Sequence, residues 1–269
     1  MKITHDLHVH TTVSGCANET ATVENYFNYA KEKGLKKIGF ADHFWDEKIP
    51  GEPSCYVPEN YSALMTVKPQ LEIFKDSGIT AYFGCEAEYN PFTHSIGVTE
   101  EVAEQLDIIV APHCHTHMLM PKDYFYTHNH VWYQIEAYKD IITCNLSKYI
   151  TTMAHPFEVI CPPGGSNHNS ELMKSWVSDD EFLKLFDMTA ESGIAVEVNL
   201  SEKGWADMSD EEIAATQKIR MLKLAKKAGC KFTVGSDSHG IQGFDRILLA
   251  DRVTDIIGLT ENDLADITK

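Results

Sequence analysis

The feature that most constrains this chain is a set of histidines and acids that recurs at the ends of short apolar runs. These runs have the length of strands, and they alternate with polar-faced stretches of helical spacing along the whole sequence. When strands and helices alternate in this way, the strands form a parallel sheet whose carboxyl ends gather on one face. The pattern therefore predicts that residues far apart in sequence meet in one pocket.

Seven apolar runs predict seven strands, at about 3–10, 36–42, 79–87, 107–113, 149–155, 194–200 and 231–237. Helical spacing predicts helices at about 22–33, 58–77, 98–105, 130–146, 179–192 and 209–228. Gly34 is expected to cap the first helix, and Ser209 with the acids after it to open the last. Seven strands favour an α/β barrel of the TIM type, which we expect to occupy 1–269 as a single domain.

Composition limits the class of partner. The formal net charge of −17 opposes binding to a nucleic-acid backbone, because most of the surface would repel a polyanion. The seven cysteines lack the spacings of a zinc knuckle or a redox pair, which is typical of reduced thiols in the cytoplasm. No signal peptide and no membrane span can be recognised. We therefore expect a cytoplasmic protein that acts on small molecules, with no membrane partner, a nucleic-acid partner disfavoured and the oligomeric state left open.

The chemistry begins with two histidines on the first predicted strand. His8 and His10 are two residues apart, so both side chains point to one side of the strand and can hold one ion, with Asp6 behind them. By itself this pattern is equally typical of a surface strand. His43 ends the second strand and Glu86 the third, and a buried carboxylate is costly unless it is paired or coordinated. Glu86 is therefore placed to bridge two ions, with Glu88 as the second choice.

The later strands end in the same residue types. The fourth is followed by three histidines at alternate positions, of which we expect His115 to be a ligand, His117 to contact substrate or donate a proton, and His113 to be structural. His155 ends the fifth strand, and Asp237 and His239 end the seventh as a pair two residues apart on one face. A convergent set of imidazoles and carboxylates predicts a metal site with more than one ion.

Three segments depart from simple alternation, and each follows a strand that carries one of these motifs. Segments 50–58, 91–97 and 161–169 are rich in proline and glycine and are expected to rim the pocket. The third contains Pro-Pro-Gly-Gly and could act as a lid.

The motifs together resemble the ligand set of the PHP (polymerase and histidinol phosphatase) superfamily over nearly the whole chain. The residues that carry the resemblance are His8, His10, Asp42, His43, Glu86, His115, His155, Asp237 and His239. The resemblance implies a distorted (β/α)7 barrel that binds two or three zinc, manganese or iron ions and hydrolyses phosphoesters. In length the chain is similar to the stand-alone, histidinol-phosphatase-like members.

Two positions differ from the pattern of that superfamily. Where relatives usually carry a histidine or an aspartate, this chain has Cys16, whose thiolate could hold zinc at the third position or leave that position empty. Histidinol phosphatases also tend to carry a phosphate-binding arginine after the sixth strand, where this chain has only Lys203 as a candidate for substrate binding. Arg246 is the remaining candidate for a phosphate clamp, and a surface ion pair with Asp245 or Asp251 is the alternative.

Three functions remain open from the sequence. The first is a metal-dependent phosphomonoesterase in which metal-activated hydroxide attacks a small metabolite, with Glu86 bridging the ions and His117 or another rim histidine protonating the leaving group. The second keeps the metals but acts as a phosphodiesterase, a 3'-5' exonuclease or an amidohydrolase-like enzyme. The third is a metal-binding barrel without turnover, which the retention of every main ligand position disfavours.

Overall fold

A computed structural model of the protein describes residues 1–115, 128–158, 167–202 and 204–267. The strands of its main sheet are β1 His5–Val9, β2 Lys37–Phe44, β3 Thr80–Ala87, β6 Ile108–Pro112, β7 Thr152–Ala154, β8 Ala195–Asn199 and β9 Phe232–Gly235, with β4 Tyr89–Asn90 and β5 Ser95–Ile96 forming a small hairpin. Each of the seven predicted strands is therefore confirmed. Boundaries differ by at most three residues: most predicted strands include end residues that have left the ladder, whereas β2 extends two residues beyond its predicted end.

The helices lie between the strands. They are α1 Val23–Lys33, α2 Tyr61–Leu64, α3 Lys68–Ile73, α4 Glu100–Ala103, α5 His128–Thr143, α6 Asn167–Ser175, α7 Asp179–Ser192, α8 Asp210–Ala214, α9 Gln217–Lys227, α10 Ile241–Phe244 and α11 Ala250–Ile257. Short 3-10 turns occur at Ser147–Tyr149, Asp245–Leu249 and Glu261–Asp263. In the part of the chain that the structure describes, no helix is both long and apolar enough to cross a bilayer.

All seven main strands are parallel and lie in the order β1-β2-β3-β6-β7-β8-β9. The sheet curves until its two edges meet, because the backbone of β1 contacts the segment that follows β9. There the amide of Asp237 donates to the carbonyl of His8 at 2.9 Å, and the amide of His10 donates to the carbonyl of Ser238 at 2.8 Å. The result is a nearly closed, distorted (β/α)7 barrel, as predicted.

Local signals explain where helices begin and end. Gly34 ends α1 in the left-handed conformation, at φ 75°, and Ser209 forms a capping box with Glu212 at the start of α8, both as predicted. The predicted helix at 209–228 is in fact two helices, since the side chain of Thr216 accepts a hydrogen bond from the amide of Ile219 and opens α9. The predicted helix at 58–77 is likewise broken into α2 and α3.

The proline- and glycine-rich segments have different positions. Segment 50–58 contributes Cys55 and Tyr56 to the cavity at the carboxyl end of the barrel, as expected for a rim. Segment 91–97 contains β5 of the small hairpin, and its Gly97 lies against the indole of Trp45. Residues 161–166 of the proposed lid lie outside the described residues, and residues 167–169 form the first turn of α6.

Glycine at position 39 is required by the packing of β2 against its neighbours. A Cβ atom built there would lie 2.6 Å from the carbonyl oxygen of Leu7 and 2.5 Å from Cδ1 of Ile108. Real Cβ atoms do not approach other atoms this closely, and the carbonyl belongs to the adjacent strand, so the barrel wall would have to shift.

We therefore expect Gly39→Ala to lower the free energy of unfolding by about 1–3 kcal/mol, the usual cost of overpacking. Urea unfolding of the metal-free protein measures the change. Glu32→Ala, on the exposed side of α1, is the control and should change stability by less than about 0.5 kcal/mol. Equal midpoints for the two variants would contradict the packing argument.

Candidate metal centre

The carboxyl ends of the strands bring the predicted ligands together. These ligands form a cluster, in which a side-chain nitrogen or oxygen of each residue lies within 4 Å of such an atom of another. They come from β1, β2 and β3 and from the segments that follow β6, β7 and β9. The described members are His8, His10, His43, Glu86, His115, His155, Asp237 and His239. The sequence prediction of a convergent site therefore agrees with the geometry.

Glu86 lies at the centre of this cluster. Its Oε1 is 2.8 Å from Nε2 of His155, and its Oε2 is 2.9 Å from Nδ1 of His43. The same Oε2 is 3.6 Å from Nε2 of His10 and 3.7 Å from Nε2 of His8. The register of the sheet places Glu86 directly beside His43, because these two residues are Cα partners in the β2–β3 pair. One carboxylate thus faces rings on both sides, as a bridging ligand does.

The two histidines of β1 aim their Nε2 atoms at the same point. These atoms are 3.0 Å apart. His8 Nδ1 donates to Glu197 Oε1 at 2.8 Å, and His10 Nδ1 lies 3.1 Å from the hydroxyl of Ser14, whose own proton goes to Asp42. In both neutral rings the proton is therefore on Nδ1 and the lone pair on Nε2. Two lone pairs that face each other require either a proton or a metal ion between them.

A turn held by Asp42 supports this arrangement. Its Oδ1 accepts from the amide of Thr11 at 2.6 Å and from the hydroxyl of Ser14 at 2.8 Å, while its Oδ2 accepts from the hydroxyl of Thr11 at 2.8 Å. The carboxylate is thereby occupied by protein donors. Asp42 positions the ligands of the first two strands instead of adding to the cluster.

The electrostatics of the cluster are dominated by close charges in a buried place. Although burial alone would raise it, the pKa of Glu86 is held well below its usual range by the imidazoles of His115, His8 and His43. Burial would lower the pKa of His8, but the carboxylates of Glu197, Glu86 and Asp237 raise it well above its ordinary value. Burial lowers the pKa of His10. A proton on His8 thus satisfies the two rings in the metal-free protein.

The donor set fits divalent cations. Within the described chain, Oε2 of Glu86 and Nδ1 of His43 are buried and lie 2.9 Å apart, but the two groups are not aligned for a hydrogen bond and neither atom makes one elsewhere. Among the described residues, four groups of donors could each hold an ion, with ligand atoms within 4.8 Å of one another. They are His8, His10 and Glu86; His10, His43 and His239; His43, Glu86, Glu88 and His115; and Cys114, His115 and His155. Imidazole nitrogen and carboxylate oxygen are the ligands that zinc, manganese and iron use in proteins.

Cys16 lies beside the second of these groups. It lines the same cavity and hydrogen-bonds to His239 and His43. Burial raises the pKa of the thiol, but these two hydrogen bonds outweigh burial and lower the pKa to about 7. A donor that ionises near neutral pH is therefore present where the family pattern differs, and ligation by Cys16 stays a prediction.

The cluster opens into a cavity of about 710 Å³. Tyr56 and Glu59 from the rim line it together with the ligands. The hydroxyl of Tyr56 donates to Glu88 at 2.5 Å, and Nδ1 of His115 lies 2.7 Å from the same carboxylate oxygen. Glu88, the second choice for a ligand, therefore orients His115, whose Nε2 faces Glu86 at 3.9 Å.

The remaining predicted residues have different outcomes. His117 and Lys203 lie outside the described residues, so their roles stay predictions. His113 is buried, accepts from the amide of Phe157 at 3.1 Å and packs edge-on against Tyr138, which agrees with a structural role. The phosphate-clamp role of Arg246 stays a prediction, and its Nη1 atom donates to the carbonyl oxygens of Ser236 and Asp237 at the end of β9.

Sequence reasoning missed the carboxylate that organises β7 and β1. Glu197 in β8 is buried, and its Oε2 accepts from the amide of His155 at 2.8 Å and from the side chain of Asn199 at 3.0 Å. Its Oε1 holds Nδ1 of His8. A carboxylate that fixes the tautomer of a ligating histidine strengthens metal binding. The signal was available as an acid inside the apolar run Ala195–Asn199.

Residues 6–201 match the family model of the PHP domain, so the chain belongs to the PHP domain family. A probable phosphatase from Clostridium novyi (strain NT) is 27% identical over 252 residues, which cover 92% of this chain and 84% of that protein. A probable phosphatase from Thermoanaerobacter sp. (strain X514) is 28% identical over 263 residues, covering 97% and 89%.

Among solved structures, the fold is similar to that of histidinol phosphate phosphatase from Lactococcus lactis subsp. lactis, which was crystallised with zinc, L-histidinol and phosphate. The TM-score is 0.62 at 16% identity, and 98% of each chain is covered. Family and relatives together identify this protein as a hydrolase of the phosphatase class.

Glu197→Gln tests the support given to His8. The change removes the negative charge beside Nδ1, so we expect the affinity for Zn²⁺ to fall by roughly 10–100-fold. Competition with a chromophoric chelator measures the affinity. Glu191→Gln, on an exposed position of α7 nearby in sequence, is the matched control. Unaltered zinc affinity in a folded Glu197→Gln protein would show that the carboxylate does not serve the site.

Proposed function

We propose that this protein is a metal-dependent phosphomonoesterase that acts on a small phosphorylated metabolite. The observation that carries the proposal is the pair of Nε2 atoms of His8 and His10, 3.0 Å apart with their lone pairs facing each other beside the buried Glu86. A proton on His8 fills the space between the two atoms in the metal-free protein, and a divalent ion would take the place of that proton. The family and its relatives supply the class of reaction.

Two or three ions would be held by the cluster. His8, His10, Asp237 and Glu86 supply donors at one side, and His115 and His155 supply donors on the other side of Glu86. Cys16, His43 and His239 would hold a third ion. When bound, divalent ions lower the pKa of a water molecule toward neutrality and neutralise charge on a phosphoryl group. Zinc is the ion we favour, since a thiolate and imidazoles are among its preferred ligands.

The protein itself contributes position and shape. Glu197 and Glu88 orient the rings of His8 and His115, which fixes where their lone pairs point. The cavity of about 710 Å³ has room for a small metabolite in addition to a phosphoryl group. Proton donation to the leaving alcohol is assigned to His117 or another rim histidine, as the sequence predicts.

The substrate is proposed by likeness and by size. The Lactococcus lactis neighbour was crystallised with L-histidinol and phosphate, and we extend that substrate class, a small alcohol phosphate such as histidinol phosphate, to this chain. Cys16, Cys85 and Cys230 are thiols, which is consistent with work in a reducing cytoplasm. The net charge of −17 disfavours a nucleic-acid substrate.

Release of phosphate from p-nitrophenyl phosphate tests the reaction class. We expect turnover by the purified protein, loss of turnover after a chelator has removed the ions, and recovery when zinc or manganese is added. A single-stranded oligonucleotide is the comparison substrate. Shortening of the oligonucleotide without release of phosphate from small esters would replace the proposal with a nuclease. Bound metal without turnover on a panel of phosphate esters would favour the barrel that lacks catalysis.

Asp237→Ala and His10→Ala test the ligand set. Each removes a donor from the cluster, so both metal content and rate should fall, with affinity lower by at least about tenfold. Metal analysis of the purified variants measures the stoichiometry. Asp245→Ala, at an exposed position, is the control and should keep the full content. Unchanged stoichiometry in either variant would remove that residue from the ligand set.

A further inference from the structure

The backbone of Asp237 is held in a strained conformation. Its φ is 52°, in the left-handed region, which costs a residue other than glycine roughly 1–2 kcal/mol. Such a conformation persists where the surroundings impose it. The side chain of Asp237 leaves this backbone to reach within 3.3 Å of Nε2 of His10. Whatever fixes the backbone at this residue therefore fixes a predicted metal ligand.

Arg246 contacts the two carbonyl groups that flank the strained Cα atom. Its Nη1 donates to the carbonyl of Ser236 at 3.3 Å and to the carbonyl of Asp237 at 3.2 Å. The first oxygen belongs to the peptide before the Cα atom of Asp237, and the second to the peptide after it. In an extended strand successive carbonyls point to opposite sides. A donor shared by both oxygens therefore selects the φ and ψ angles of Asp237 directly.

Other hydrogen bonds hold the amide of Asp237 and the amide one residue before it. The amide of Ser236 donates to Oδ1 of Asp6 at 3.0 Å, and the amide of Asp237 donates to the carbonyl of His8 at 2.9 Å. These contacts come from β1, whereas Arg246 belongs to the 3-10 turn Asp245–Leu249 after α10. The guanidinium is thus the contact that ties the turn outside the sheet to the ligand loop.

Arg246 also faces a different space from that of the predicted ligands. It lines a second cavity, of about 410 Å³, together with Ser201, Glu202 and Gln242. Asp237, in contrast, lines the cavity of the metal centre. The backbone of the ligand loop therefore lies between the guanidinium and the site where a phosphoryl group would bind.

We propose that Arg246 is a positioning residue that holds Asp237 in its left-handed conformation for metal binding, instead of a clamp for substrate phosphate. The inference rests on the proposed metal site but not on the identity of the substrate. Loss of the guanidinium releases the two carbonyls, lets Asp237 relax to an ordinary backbone conformation and withdraws its carboxylate from His10. A variant without the guanidinium should therefore bind metal more weakly while its affinity for substrate stays unchanged.

The test compares three variants of the full chain. Arg246→Met keeps the length of the side chain and removes its donors, and Arg246→Lys keeps a donor on a similar stem. Arg252→Met is the matched control, since Arg252 likewise donates to loop carbonyls, those of Trp205 and Met208, away from the ligands. The measurements are Zn²⁺ affinity by competition with a chelating dye, thermal unfolding of the metal-free protein, and kcat and KM on p-nitrophenyl phosphate.

We expect Arg246→Met to lose about 10–100-fold in zinc affinity, as for other residues that orient a ligand. Arg246→Lys should recover part of the loss, KM at saturating zinc should stay unchanged, and Arg252→Met should lower the unfolding temperature with normal zinc affinity. Normal zinc affinity together with a raised KM in Arg246→Met would overturn the proposal in favour of a phosphate clamp. Equal losses of zinc affinity in Arg252→Met would overturn it in favour of general destabilisation.

Different results would contradict the proposed phosphatase reaction and the proposed role of Arg246. If the wild-type protein binds zinc but hydrolyses no phosphate ester, the proposed reaction is wrong, while the zinc affinities of the variants still test the role of Arg246. If the wild-type protein binds no divalent ion, the positioning role is overturned together with the metal site.

Discussion

A carboxylate buried among imidazoles is the interaction on which this structure depends. Glu86 is almost inaccessible to solvent, and the nitrogens of five histidines lie within 4 Å of its oxygens. A buried charge of this kind is tolerated only when opposite charge or a metal is close. The parallel barrel provides that environment because its geometry turns seven separate strand ends toward one point. Glu197, Glu88 and Asp42 then fix the rings and the turn around this centre.

Much of this arrangement could be predicted from the sequence, because it follows from two regular patterns, the alternation of strands with helices and the two-residue repeat of side chains along a strand. Alternation of apolar runs and helical stretches gave the seven strands and their parallel order, and spacing of two residues gave the shared face of His8 and His10. Apolar runs that stop at a histidine or an acid marked the carboxyl ends. What these patterns record is local, since each depends on residues only a few positions apart.

The unpredicted features depend on contacts between distant segments or on breaks in a period. In the sequence, Glu197 is a single acid within an apolar strand. Its role in orienting a histidine becomes visible only in the fold, because His8 lies 189 residues away along the chain. The division of the predicted helix at 209–228 rests on one threonine cap. Helix α10 has only four residues and shows no period. Helix α11 does bury residues at helical spacing, namely Ala250, Val253, Thr254 and Ile257, and sequence reasoning missed it. The contact of Arg246 with two backbone carbonyls has no sequence signature at all.

The seam between β1 and the segment after β9 has a consequence for how the protein matures. The backbone at Asp237 and Ser238, which pairs with that of His8 and His10, is synthesised more than 220 residues after them. The first ligand pair and the last are joined across the closure of the barrel. The proposed ion would therefore find its complete set of ligands only after the final strand has joined the barrel. Metal loading would in this way report that the whole barrel has been assembled.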